Sequence, residues 1–231
     1  MRKYLIVCIV LTLLSGITTA QNSGWKIAGD KIKTTWADKV DPLNPLPEYP
    51  RPQMVRSEWK NLNGLWDYAI TPESENIPKV FQGKILVPFA VESALSGVKK
   101  SVGTGNVLWY RTKFTIPPTF KKKKILLHFG AVDWLTDVYI NGSKIGFHQG
   151  GYDPFFFDIT DFIKGSKQQI LELRVTDPVD NGPQPRGKQV LKPSGIWYTS
   201  VTGIWQTVWL EAVRRHISSQ QNRYPILTGK Y

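Results

Sequence analysis

From Lys124 to Thr160 the hydrophobic and polar positions alternate with the period of a strand that buries one face. Ile125, Leu127 and Phe129 alternate with Leu126 and His128, and Thr136, Val138 and Ile140 alternate with Asp137 and Tyr139. Asn141-Gly142 between the second run and Lys144–His148 predicts a tight hairpin, because both central residues of a type I′ turn need positive φ. Gly150-Gly151 ends that strand, and Phe155-Phe156-Phe157 opens another that closes at Asp158. The pattern predicts a β-meander, with the rest of the chain layered against it.

The same reading extends along the chain. A turn followed by the first strand is expected over Leu62–Ile70, and strands over Gly83–Val87 and Val107–Ile116, the last with Leu108, Tyr110, Thr112, Phe114 and Ile116 on one face. A turn over Asp161–Lys167, with one helical turn capped by Thr160, precedes a strand in which Leu171, Leu173 and Val175 face in while Glu172, Arg174 and Thr176 face out. Ile204–Val213 is the last strand. Two long glycine- and proline-punctuated connections interrupt the series, Phe89–Asn106 and Asp177–Gly203; connections of such length in a compact domain are usually functional or disordered. Eight or nine short strands with no amphipathic helix between them predict an all-β antiparallel sandwich, and a jelly roll accommodates that number with long end loops.

Composition changes this picture at the ends. Arg2 and Lys3, the apolar run Tyr4–Leu14 and the small residues Thr18-Thr19-Ala20 have the form of an export signal over residues 1–20. The run is shorter than the ~20 residues a membrane span needs. Export to the periplasm or outside the cell is expected. The only cysteine, Cys8, lies within that signal, so the rest has no disulfide to hold it. Residues 21–56 carry Pro42, Pro45, Pro47, Pro50 and Pro52, which predicts an extended arm lying on the body, anchored by Trp25, Trp36 and Tyr49. The body is then 57–213, and the polar, unpatterned tail 214–231 has the form of a truncated reading frame. The formal charge of +12 sits largely in Lys99-Lys100 and Lys121–Lys124. The second cluster stands before a strand, where it is expected to be a solvated loop; no nucleic-acid module accompanies it.

Several of these segments together carry a resemblance. Trp59 with Asn63-Gly64-Leu65-Trp66, then Trp109–Phe114, Val138–Gly142, Gly151–Phe155 and Thr202–Glu211 resemble the N-terminal sugar-binding domain of glycoside hydrolase family 2, the β-galactosidase- and β-glucuronidase-like enzymes. The five motifs stand in the family's order over about Trp36–Val213. The resemblance implies a galactose-binding-like jelly roll followed, in whole enzymes, by an immunoglobulin-like domain and a TIM barrel. It implies that two glutamates of the barrel, one in an Asn-Glu pair, perform retaining hydrolysis of O-glycosyl bonds, which needs carboxyl groups about 5–5.5 Å apart. This sequence has no Asn-Glu pair; its glutamates are 48, 58, 73, 75, 92, 172 and 211. No catalytic residue is therefore expected in it, and its partners would be carbohydrate and the C-terminal domains of a parent enzyme. A stand-alone carbohydrate-binding or surface interaction module is the alternative.

The resemblance also implies that the end loops help bound the sugar, which singles out Gln184, Arg186, Lys188, Trp197 and Tyr198 as substrate-binding candidates, with Gln189 beside them. Amides and guanidinium donate to sugar hydroxyls, and an aromatic plane takes the C–H face of the ring. The competing role is packing of the loop onto the sandwich. Trp205, Thr207 and Trp209 share a strand face that suits a sugar platform, but core or an interdomain contact suits it equally. Asp153 before Pro154 reads as a turn residue or a ligand for a cation or hydroxyl, and Asn141-Gly142-Ser143 as a turn or a glycosylation acceptor. His128, His148 and His216 are scattered, so neither a metal site nor a cofactor is expected.

Overall fold

The computed structural model describes residues 24–29, 33–165 and 168–214. The export signal of 1–20 and the tail after 214 lie outside the described residues. The first strands are β1 (Trp59–Asn61), β2 (Gly64–Pro72), β3 (Gly83–Val87), β4 (Asn106–Phe114) and β5 (Lys124–Phe129). They are followed by β6 (Val132–Asp133), β7 (Leu135–Ile140), β8 (Ser143–Gln149), β9 (Phe155–Asp158) and β10 (Gln169–Thr176). The last are β11 (Gln189–Val190), β12 (Tyr198–Thr199), β13 (Gly203–Ile204) and β14 (Val208–Val213). Two antiparallel sheets face each other, one of four strands in the order β1-β14-β5-β9 and one of six in the order β3-β2-β4-β10-β7-β8. The sandwich predicted from alternation is therefore the fold.

The meander is not. β7 and β8 form the expected hairpin, with Asn141 at φ 53° and Gly142 at φ 81°. β5 and β9, however, pair with each other in the opposite sheet. The chain crosses between the layers at Gly130–Asp133 and returns after Gly150. Alternation reports which face is buried but not which neighbour a strand takes, and both sheets bury the same kind of face.

One core fills the space between the layers. Leu108, Tyr110, Leu171, Leu173, Val138 and Ile140 of the larger sheet meet Ile125, Leu127, Phe129, Val208 and Leu210 of the smaller. The smaller sheet is buried on its outer face as well: Leu126, His128, Trp209 and Glu211 are covered. The predicted arm does this. Asn61 and Asn63 donate to the arm carbonyls of Leu46 (3.0 Å) and Pro45 (3.2 Å), and Tyr49 packs edge-on against Trp59. Further up, Trp25 lies so close to Gly97 that a Cβ there would sit 2.4 Å from its ring. Trp36 is no anchor, being 68% exposed; the buried residue of its turn is Ala37.

Three smaller expectations are corrected. Ile204–Val213 is two strands, because Trp205–Thr207 bulge around Gly130, whose N–H donates to the Thr207 carbonyl (2.9 Å). The turn after β9 is a 3-10 turn over Thr160–Phe162 that begins at Thr160 instead of being capped by it; Ile159 stands at the cap without a side-chain bond, and Asp158 accepts the Thr160 N–H at 3.1 Å. Lys122 is exposed as expected but sits at φ 63°, a backbone state the basic run did not signal.

Candidate functional site

Both long connections end at the same end of the sandwich, where three carboxyl groups gather. Glu92 comes from the loop after β3, Asp133 from β6 and Asp177 from the end of β10. Thr202, leading into β13, ties two of them together. Its N–H donates to Glu92 Oε2 (2.9 Å) and its hydroxyl to Asp177 Oδ2 (2.8 Å), while the Ser200 hydroxyl donates to Glu92 Oε1 (3.1 Å). Behind them the Tyr110 hydroxyl accepts the Ile204 N–H (3.2 Å). Gly203 permits this approach, since a Cβ there would sit 2.0 Å from the Tyr110 oxygen.

Burial pushes Glu92 up to about 7, against the hydrogen bonds from Thr202 and Ser200. Asp133 rises to about 7 as well, first by burial and then by the charges of Asp177 and Glu92. Asp177 is raised by burial, opposed by the Val179 N–H and by Thr202. Near neutral pH this end of the molecule thus holds carboxyls that both donate and accept hydrogen bonds, the capacity a polyol ligand requires. Beside Asp133, Gly151 lies close enough that a Cβ would meet its carboxylate at 2.5 Å; the Gly151 carbonyl accepts the Trp205 indole N–H (2.7 Å), and Tyr152 stands edge-on to that indole, half exposed.

The loop between Asp177 and Thr202 carries the residues singled out from sequence. Gln184 is buried and donates to the Val179 carbonyl (2.8 Å), a strut within the loop. Arg186 donates to the Asp180 carbonyl (3.1 Å) and lies over the Trp197 ring at 5.7 Å. Gln189 pairs with Tyr198 in the short parallel ladder of β11 and β12. Lys188, Ile196, Trp197 and Tyr198 are exposed at the tip, and Tyr198 leads through Thr199 to Ser200 and the carboxyl cluster. The structure thus brings Arg186 and Trp197 together, leaves Lys188 and Tyr198 facing solvent and turns Gln184 inward. Asp153 does not join the cluster. It lies near His148, whose pKa is lowered by burial against the charge of Asp153.

Two groupings escaped the sequence reading. One is the Glu92–Asp133–Asp177 cluster, whose members are spread over 86 positions of chain; the signal available was that two of them flank the long connections. The other is a buried ion network under the arm. Glu211 accepts from the Tyr49 hydroxyl (2.6 Å), the Trp209 indole (2.8 Å) and Arg51, with Arg56 at 2.9 Å and His128 at 3.4 Å. His128 is stacked on Trp209 at 4.8 Å. Burial alone would raise the Glu211 carboxyl; contact with His128, then the bonds from Trp209 and Tyr49, hold it well below the usual range. Trp209 is buried there and offers no sugar platform. Among the described residues no group of three or more His, Cys, Asp or Glu is placed to hold a metal ion, and no helix is long and apolar enough to cross a membrane.

Residues 92–204, from the first carboxyl of the cluster to the strand behind it, match the glycosyl hydrolase 2 galactose-binding domain-like family model. The chain belongs to the galactose-binding-like N-terminal domains of glycoside hydrolase family 2. A β-galactosidase of Bacteroides ovatus is 31% identical over 160 residues, 69% of this chain and 15% of that protein. A β-glucuronidase of Bacteroides fragilis is 40% identical over 114 residues, 48% of this chain and 15% of that protein. The crystal structure of Ruminococcus gnavus β-glucuronidase superposes with a TM-score of 0.55 at 23% identity, covering 72% of this chain and 30% of that one, a likeness of fold. The chain therefore spans a minor part of the length of the relatives it matches.

Proposed function

We propose that this chain is the sugar-binding module of an exported family 2 glycoside hydrolase, in which hydrolysis of O-glycosyl bonds belongs to the whole enzyme and not to these 231 residues. The observation that carries the reading is the end surface itself. A tip of exposed Trp197 and Tyr198 with half-buried Arg186 continues into the near-neutral carboxyls of Glu92 and Asp133, so ring faces, a cationic donor and protonatable acceptors are presented side by side. Lys188 adds an exposed cation to the tip. Absence of an Asn-Glu pair supports a binding role for the chain, as does the occupation of Glu92 and Asp177 by Ser200 and Thr202, which makes them struts and recognition groups instead of an acid and a nucleophile.

The purified chain is expected to turn over neither aryl β-galactosides nor aryl β-glucuronides. Turnover that disappears on mutating Glu92, Asp133 or Asp177 would overturn the reading. A stand-alone carbohydrate-binding module is favoured by one observation, that the chain covers its own Trp209 face with its own arm. The gene sequence that follows Tyr231 decides between the two: barrel sequence with an Asn-Glu pair, in any frame, supports the parent enzyme, and unrelated sequence supports the module.

A further inference from the structure

The face of the six-stranded sheet that points away from the core carries a cavity of about 390 Å³, at whose rim the Glu73 N–H donates to the Gly105 carbonyl of the first long connection (2.9 Å). That volume is within the roughly 300–1,000 Å³ of small-molecule sites. Its floor is a cross-strand row. Arg174 of β10 lies directly between Trp109 of β4 and Asp137 of β7 in the ladder. Tyr139, one pleat along from Asp137, tilts against Trp109 with ring centroids 6.0 Å apart, and Glu73 and Asn76 from the loop after β2 form the rim.

Two features separate this cavity from a mere dent in a sheet. Trp109 is 1% exposed, yet its indole N–H has no hydrogen-bond partner. Buried donors are nearly always satisfied, and an orphan costs about 1–3 kcal/mol, so the floor holds a donor that lacks an acceptor. Next, Arg174 and Asp137 are already held in place. Arg174 donates to the Glu73 carbonyl (3.0 Å) and to Thr176 Oγ1 (3.1 Å), and Lys144 fixes Asp137 at 2.7 Å. A ligand entering would meet these two groups fixed and pay little to order them.

We propose that this cavity is a second saccharide site, taking one neutral pyranose ring of a glycan. The half-buried Tyr139 ring would receive its C–H face, Trp109 would donate to a ring hydroxyl, and Asp137, Glu73 and Asn76 would take the hydroxyl protons. Charge selects against uronic acids. Glu73, Glu75 and Asp137 outnumber Arg174 and the Lys144 bonded to Asp137, which leaves the spot slightly acidic on a chain of net charge +12. The proposal does not depend on the end surface described above, and it would give the domain a hold on a glycan separate from the sugar being processed.

The test uses the full chain, followed by the indole N–H resonance of Trp109, identified by its disappearance in Trp109→Phe. Titration with methyl β-galactopyranoside and methyl β-glucopyranoside is expected to move that resonance saturably for at least one of the two. Sodium glucuronate is expected to bind at least ~5-fold more weakly, about 1 kcal/mol. Asn76→Ala, at an exposed loop position, and Tyr139→Ala should each weaken binding about 3- to 10-fold, whereas Trp197→Ala should leave it unchanged. Melting temperatures report whether Tyr139→Ala has lost its fold, and Asn76→Ala carries the test if it has. A Trp109 signal unmoved by either neutral glycoside would overturn the proposal, as would stronger binding of glucuronate, or a response that Trp197→Ala removes and Asn76→Ala does not.

Discussion

Glu211 is fully buried, with Arg51, the Tyr49 phenol and the Trp209 indole donating to its Oε1 and with Arg56 and His128 2.9 Å and 3.4 Å from its Oε2, so charges and donors of the protein stand where water would. Removing one member of such a network leaves the others buried and unpaired. Glu211→Ala is expected to cost about 3–5 kcal/mol, a fall of roughly 6–20 °C in the thermal midpoint for a domain of this size. The two carboxyl groupings also predict opposite pH dependences. Glu211, whose folded pKa is depressed, contributes stability above about 4.5 that is lost as the pH falls further. Glu92 and Asp133, raised to about 7 by burial, keep protons in the folded state that the unfolded chain sheds near pH 4. Their contribution is therefore present in acid and lost as the pH rises toward 7. The midpoint should be higher at pH 5.5 than at pH 8, and Asp133→Asn should flatten that difference by raising the value at pH 8; a midpoint that rises steadily to pH 8 would contradict the burial of this cluster. None of this chemistry was legible residue by residue. Glu211 reads as a polar position in an apolar strand, and Asp133 falls between the runs ending at Phe129 and beginning at Thr136, because only the fold reveals that arm and loops close over them.

At the scale of elements the sequence was far more informative, because periodicity and turn residues act locally. The Asn141-Gly142 turn was readable since only such residues tolerate two positive φ values in succession. Space is not the constraint at Gly142, where a Cβ would meet nothing within 4 Å. Strain is: Gly142→Val should cost about 1–3 kcal/mol. Lys122, also at positive φ, makes the complementary test, with Lys122→Gly expected to leave the midpoint unchanged or raise it by relieving up to about 1–2 kcal/mol of local strain. Equal midpoints for Gly142→Val and the parent chain would show that the hairpin is not built on this turn. What local pattern did not convey was pairing. β5 and β9 read as neighbours of the β7–β8 hairpin because they adjoin it in sequence, yet they lie in the other sheet. The two-residue strands β6 and β13 were invisible for a related reason: four residues cannot show a period, and their pairing depends on the chain crossing between layers at that point.

For the molecule as a whole the arm decides how self-sufficient the domain is. Proline spacing alone indicated an extended segment lying on the body, but not the surface it covers. The structure places it over the outer face of the four-stranded sheet, where Arg51 lies 5.5 Å above the Trp209 ring and shields His128 and Phe156 with it. In a chain with no cysteine outside residues 1–20, this packing and the core are what hold the sheet. The remaining exposed aromatics and large aliphatics stand apart, Trp36 in the arm, Phe147 on β8 and Tyr152 before β9, except for the short run Ile196, Trp197 and Tyr198 at one loop tip. Scattered apolar side chains are ordinary on a protein surface, whereas a contiguous uncovered patch drives association. The chain beginning at Gln21 is therefore expected to bind little hydrophobic dye and to remain monomeric as salt rises. A version beginning at Ser57 would uncover Trp209 and His128 together and strand Glu211 without Arg51, Arg56 or Tyr49. It should bind the dye, melt lower than the longer chain and self-associate more at high salt, where screening shortens the reach of the positive charge to ~8 Å or less. Dye binding and sedimentation of the two versions, measured side by side, check this. Identical behaviour would mean that the arm rests on the sheet without contributing to it, and the ion network around Glu211 would then have to be stable with its carboxylate facing water.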